Sequence, residues 1–291
     1  MSHHLEDGII APEGAMVTYG SYLKVHELLS LQQSLSSPPE HDELLFIIIH
    51  QVYELWFKQI LHEVTLAETE LASDKSIGAL KTLKRINAIQ QILTQQVSVL
   101  ETMTPNDFNR FRARLNPASG FQSHQFRVLE FRMGLKDPAY LKFFKTQPDA
   151  LREIEAARAK PCFNDHLMGF LARQGYKIPA AILSRDVTKE WEPSEVVADI
   201  YREIYENHEK HYPAYVMLEA LCDVDQQFTL WRYRHVAMVE RMIGARIGTG
   251  GSSGVKYLAS TLSKRFFPEI WMSRGQIGGP GAYGAPDLAK K

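Results

Sequence analysis

Cysteine is scarce in this chain. Cys162 and Cys222 are the only two among 291 residues, far apart and in no CxxC pattern. That spacing argues against a disulfide framework or a zinc ribbon and fits a reducing compartment. Charge of one sign is lacking too. The net charge is −1, so no global field recruits nucleic acid or an anionic membrane. Long apolar runs are missing. The longest, Leu44–Ile49, is far too short to span a bilayer. Met1–Gly14 holds no apolar core, which argues against a secretory signal. The expectation is a cytoplasmic protein with no membrane and no nucleic-acid partner. No histidine has a glutamate three residues before it, so the ExxH pairs of di-iron bundles are absent. His208 and His211 flank Glu209 but do not make HExxH, and they are expected near the surface.

What the chain does have is helical periodicity. Hydrophobic residues make up 45% and charged residues 23%, enough to bury a sizeable core. No run alternates convincingly as a strand, and no internal repeat is visible. A helix is expected from near Pro39 or Asp42 past Val64, with the stripe Phe46, Ile49, Tyr53, Phe57, Ile60, Val64 in steps of three and four. A second stripe is Ile86, Ile89, Leu93, Val97, Leu100. Thr104, Pro105 and Asp107 form a helix start of the capping-box kind. Residues 121–134 read as a helix ended by Gly134. Ser194 caps a helix with the stripe Val197, Ile200, Ile204, His208. The last long helix runs from about Pro213 to Ile243, with Leu221, Val224, Phe228, Trp231, His235, Met238 and Met242 on one face and Gly244 as the stop. Long helices with short connections predict an all-α helical bundle. The expected organisation is a loose leader over 1–14, one helical domain over 15–272 and a flexible Gly/Pro-rich tail over 273–291. Residues 161–193, of weaker periodicity, read as a smaller helical excursion.

Three polar residues stand where the stripes expect hydrophobes. His50 follows Phe46 by four and precedes Tyr53 by three. His235 follows Trp231 by four and precedes Met238 by three. Arg112 lies four after Phe108 and three before Leu115. Each has a bland alternative. A lone inward histidine is more often a core residue bonded to a carbonyl than a ligand, and a lone inward arginine more often meets a structural carboxylate. Together they suggest more. Two histidines on different long helices facing one core resemble the two sides of a haem pocket, one binding iron and one hydrogen-bonding on the open face. A guanidinium fork suits a carboxylate-bearing ligand.

Gly248-Thr249-Gly250-Gly251-Ser252-Ser253-Gly254 directly follows the His235 helix. It reads neither as GxxxxGK[ST] nor as GxGxxG, because Ser253 holds the third glycine position. It is either a flexible linker or a loop whose backbone and hydroxyls close on a small polar ligand.

Longer strings carry a family resemblance. His41-Asp42-Glu43-Leu44-Leu45-Phe46-Ile47-Ile48-Ile49-His50-Gln51, followed by Glu54-Leu55-Trp56-Phe57-Lys58, resembles the distal-side helix of tryptophan 2,3-dioxygenases. Trp231-Arg232-Tyr233-Arg234-His235, Val239-Glu240-Arg241-Met242-Ile243-Gly244, the GTGGSSG loop and Tyr257-Leu258 resemble that family's proximal helix and substrate loop. Ser119-Gly120-Phe121-Gln122-Ser123 with Glu130-Phe131 resembles its central helix, and Thr18-Tyr19-Gly20-Ser21-Tyr22-Leu23 its N-terminal segment. The resemblance runs in register from roughly residue 18 to 272.

The resemblance implies haem b, ferrous in the active form, with His235 as the axial metal ligand and Trp231 and Ser119 lining the cofactor pocket. Without a CxxCH, the haem would not be attached covalently. It implies that His50 accepts a hydrogen bond from the indole N–H of L-tryptophan, that Arg112 holds the carboxylate and that Thr249 contacts the ammonium and carboxylate. Phe46 and Phe108 would wall the pocket. Tyr19, Tyr22 and Leu23 would reach into the site of a neighbouring subunit, in a homotetramer built as a dimer of dimers. The implied reaction is cleavage of the indole C2–C3 bond by O2 to N-formyl-L-kynurenine, the first step of tryptophan catabolism by the kynurenine pathway. Other readings predict different outcomes: a related haem enzyme acting on another indole, a haem-based sensor that forms no product, or a colourless helical interaction module.

Overall fold

The computed structural model describes residues 17–244, 246 and 254–278. Among them there are thirteen α-helices and no strand: α1 (Tyr19–Leu23), α2 (Val25–Leu29), α3 (His41–Ala72), α4 (Ser76–Leu100), α5 (Pro105–Arg112), α6 (His124–Arg132), α7 (Pro148–Arg158), α8 (Phe163–Arg173), α9 (Ala180–Leu183), α10 (Glu195–Glu206), α11 (Tyr212–Ile243), α12 (Val255–Ser260) and α13 (Pro268–Arg274). Short 3-10 turns cover Ala113–Leu115, Gly120–Gln122 and Pro138–Phe144. The expected all-α class is what the chain adopts.

Three long helices organise the rest. Residues 73–75 join α3 to α4, and both α3 and α11 pack along α4. Their shared seam holds Ile60, Val64, Leu71, Leu83 and Ile86, none with any exposed surface. Burying each such side chain contributes about 1.5–3 kcal/mol. The Tyr53 hydroxyl donates to the Leu93 carbonyl at 2.6 Å and pins α3 to α4 near the middle of both. By length and composition alone, α3 could cross a bilayer. In this fold its apolar positions Ile49, Phe57, Ile60, Val64 and Leu71 are buried in the protein core.

Helix ends follow local chemistry. The Thr104 hydroxyl accepts the Asp107 N–H at 3.3 Å, and the Asp107 carboxylate accepts the Thr104 N–H at 3.2 Å. With Pro105 next, these bonds start α5 where the sequence places it. Helix α11 stops at Gly244, whose φ of +58° is costly for any residue with a Cβ.

Two expectations about elements need correction, and a third is borne out more firmly than expected. Residues 121–134 are not one helix. Ser123 takes an extended conformation and caps a new start, its hydroxyl accepting the Phe126 N–H at 3.2 Å, so a 3-10 turn precedes α6. His208 does not extend the stripe of α10. That helix ends at Glu206, and His208 lies exposed in the following turn. The excursion over 161–193 is firmer than its periodicity suggested. Phe163, Leu167, Met168, Phe170 and Leu171 of α8 are buried against α3.

The expected leader 1–14 and the end of the tail, 279–291, lie outside the described residues, as does Thr249 with most of its loop. Within the expected tail, Ser273 and Arg274 belong to α13; Ser273 is fully buried, and Arg274 pairs with Glu219.

Candidate functional site

Helices α3 and α11 both lie against α4, and α5 touches each of them. The space left between them is a cavity of about 290 Å³, near the lower end of ligand pockets. Its lining is mostly apolar, with Val97, Leu100 and Met103 from the α4 side and Met238 and Met242 from α11. Helix α6, the turn over 119–123 and α12 contribute the remaining wall.

His50 enters this cavity from α3. Its Nδ1 lies 2.7 Å from the Phe46 carbonyl, one turn earlier. A carbonyl can only accept, so Nδ1 carries the proton and Nε2 keeps its lone pair. Burial holds the His50 pKa below its usual value, outweighing the Phe46 carbonyl and the Glu54 carboxylate, which both favour the cation. The imidazole is therefore a neutral hydrogen-bond acceptor at physiological pH. Phe46 lies tilted against it at 4.1 Å between centroids and packs on Phe108 at 5.7 Å.

His235 enters from α11. Burial, with the His50 ring as a second cause, pulls its pKa down to about 4. Trp231, one turn earlier, stacks on it with centroids 5.3 Å apart and planes 5° from parallel. Phe126 at 5.3 Å and Tyr53 at 6.3 Å pack around that indole. These contacts fix the imidazole ring while leaving it neutral, the state that coordinates a metal.

Arg112, the last residue of α5, lines the same cavity and is half-buried. Ser119 lines it as the cap of the Gly120–Gln122 turn, its hydroxyl accepting the Phe121 N–H at 3.3 Å. The fold thus brings together Phe46, His50, Phe108, Arg112, Ser119, Trp231 and His235 around one cavity. It does not bring Tyr19, Tyr22 or Leu23 to it. These lie on α1 with 79%, 76% and 45% of their surfaces exposed, and none lines the cavity of its own chain.

Several cavity residues received no site role from the sequence, although all but Arg127 stand in the strings quoted above: Glu54, Arg127, Glu130, Arg232 and Tyr257. Arg127 and Glu130 are three apart in the HQFRVLEFR sequence of α6, and that spacing of opposite charges was the available signal. Arg232 is adjacent to the apolar stripe of α11 and carried none.

One buried donor of a cavity-lining residue, Arg127 Nε, has no acceptor among the described residues. An unpaired buried donor costs roughly 1–3 kcal/mol. The site is therefore suited to a ligand that brings acceptors to an otherwise apolar slot. A neutral imidazole, an apolar cavity and a buried guanidinium donor suit a haem with its carboxylates.

The fold and cavity define the class: an all-helical protein with an internal ligand cavity flanked by two neutral imidazoles from separate long helices. A sequence profile described as tryptophan 2,3-dioxygenase matches residues 3–158 and 194–277. Among similar proteins are the tryptophan 2,3-dioxygenases of Myxococcus xanthus, 44% identical over 95% of this chain and 95% of that protein, and of Caulobacter vibrioides, 46% identical over 90% and 98%. That of Herpetosiphon aurantiacus is 48% identical, again over 90% of this chain and 98% of the relative. The chain belongs to the tryptophan 2,3-dioxygenase family.

Proposed function

We propose that the chain cleaves the indole C2–C3 bond of L-tryptophan with O2 to give N-formyl-L-kynurenine, using haem b held by His235. Family membership supports the reaction, and one observation carries the site: neutral imidazoles from α3 and α11 line a single apolar cavity. When bound and ferrous, haem supplies the redox chemistry with O2.

The chain's own residues supply ligation and orientation. His235 offers a ring nitrogen to the iron, and the stacked Trp231 keeps that ring from turning. His50 Nε2 accepts the indole N–H, because its Nδ1 proton is already committed to Phe46. Phe46 and Phe108 press the indole from the α3 and α5 sides. Arg112 takes the substrate carboxylate, and Thr249 adds contacts to the zwitterion. This clamp selects a free amino acid over an indole that lacks its charges. Ser119 lines the cofactor side. Apolar walls keep water from the reacting atoms and strengthen each polar contact.

Assembly and location complete the reading. Tyr19, Tyr22 and Leu23, exposed on α1, reach a neighbouring subunit's site in a homotetramer, and the enzyme works in the cytoplasm, where its buried thiols Cys162 and Cys222 stay reduced. The test is an absorbance spectrum of haem-supplied protein under reducing conditions, followed by L-tryptophan in air. A Soret band with growth of the N-formylkynurenine chromophore is expected. A Soret band without product would overturn the reaction, and no band would overturn the cofactor.

A further inference from the structure

At the end of the cavity made by α6, α11 and α12, two guanidiniums share one carboxylate. Arg127 is 6% exposed, Arg232 is 3% and Glu130 is 3%. All three line the cavity. Glu130 accepts from Arg127 Nη1 through one oxygen and from Arg232 Nη2, at 3.3 Å, through the other. Arg232 Nη1 donates to the Lys264 carbonyl at 3.0 Å. A second carboxylate acting on Arg232 is Asp225. It is already held by the Phe266 and Phe267 N–H groups at 3.0 and 3.3 Å and by Trp271 Nε1 at 2.8 Å.

The surroundings add positive charge and remove water. The Arg127 guanidinium lies 4.2 Å from the Tyr140 ring centroid and 5.2 Å from those of Phe121 and Phe126. These rings fix its plane. Lys264 Nζ approaches the Tyr140 hydroxyl at 3.4 Å, and that hydroxyl pairs with Tyr257 at 2.8 Å. Arg127 Nε is buried and donates to nothing among the described residues. A desolvated cation with a free donor and only a shared counter-ion calls for an anion.

We infer that Arg127, with Arg232 and Glu130 behind it, forms an internal carboxylate subsite separate from Arg112, and that its occupant is a carboxylate of the tetrapyrrole. Arg232 stands three residues before His235 on α11, so the subsite belongs to the side of the cavity where the axial ligand sits. Arg112 arrives from α5 and leaves the amino-acid carboxylate a different partner. The inference rests on the haem reading above. Arg127 acts on cofactor retention and takes no part in the chemistry.

The test compares iron protoporphyrin IX with its dimethyl ester, which has lost both negative charges. Full-length haem-free protein is loaded with each, and transfer to excess apomyoglobin is timed by the Soret shift. The wild-type chain should release the ester about tenfold faster or more, the size of a charge-assisted bond. Arg127→Met should bring the ratio close to one by speeding release of the diacid alone. Arg127→Lys, which keeps the charge without the fork, should restore part of the ratio and guards against misfolding of the Met variant. Equal acceleration of both tetrapyrroles in Arg127→Met would mean a structural arginine and would overturn the subsite. An unchanged ratio with a raised KM for L-tryptophan but not tryptamine would give the subsite to the substrate and overturn it too. A wild-type chain that takes up neither tetrapyrrole would instead remove the haem reading itself.

Discussion

His50 donates its Nδ1 proton to the Phe46 carbonyl, one helical turn earlier on α3, at 2.7 Å. That single bond sets the tautomer and makes Nε2 an acceptor. His50→Ala should therefore lower kcat/KM for L-tryptophan by about tenfold, the worth of one hydrogen bond, and not abolish turnover. With 1-methyltryptophan, which has no indole N–H, the same substitution should change little. Steady-state kinetics on both substrates decides it. A His50→Ala protein that no longer holds haem would contradict a role on the open face of the cofactor.

Arg112 closes α5 at the edge of the same cavity. Arg112→Ala should raise KM for L-tryptophan by roughly ten- to a hundred-fold, matching the loss of a hydrogen bond to a charged group. The haem spectrum should stay nearly intact. Tryptamine, lacking the carboxylate, should not discriminate between the two proteins. An unchanged KM takes Arg112 out of the clamp.

The two cavity histidines give the haem-free protein a signed pH dependence. In the unfolded chain each imidazole titrates near 6.5, whereas in the fold His50 lies lower and His235 lies at about 4. Below pH 6.5 the unfolded chain binds protons that the folded chain refuses. Stability should thus be level above that pH and fall as pH drops towards 4. Thermal melts of haem-free protein across this window should show the decline, and a His235→Gln variant should flatten it. Haem should also survive on the wild-type chain at pH 5, where an ordinary imidazole is already mostly protonated. Loss of the Soret band near pH 6.5 would refute the lowered value.

Periodicity made the long helices legible because each buries a continuous stripe, and a stripe of Phe46, Ile49, Tyr53 and Phe57 has one geometric solution. It also exposed His50 and His235, since a polar residue within such a stripe must face the interior. Arg127 was harder to read: on α6 it sits among Phe126, Leu129 and Phe131, all buried, and only its spacing of three from Glu130 marked it. The break at Ser123 was missed because capping depends on one hydroxyl finding the Phe126 N–H, which hydrophobic spacing does not encode. Arg232 and Glu130 lie 102 residues apart in sequence, and only tertiary packing joins them.

Lys136 supplies a test of the scaffold away from the cavity chemistry. It is 1% exposed, and its amine donates to the carbonyls of Arg158 at 3.1 Å, Val187 at 2.6 Å and Lys160. Burial pulls its pKa down, yet three acceptors require three N–H groups, which only the ammonium has. One cation thereby ties the turn after α6 to the end of α7 and to the loop after α9. Methionine matches the lysine side chain out to Cε and has no donor. Lys136→Met should cost about 3 kcal/mol or more, because three buried carbonyls lose their partner together. Urea denaturation of the haem-free protein measures it, as a lower midpoint with an unchanged slope. The Soret spectrum and KM of the folded fraction should match the wild type. A loss below about 1 kcal/mol would show that water or backbone shifts satisfy those carbonyls without the lysine.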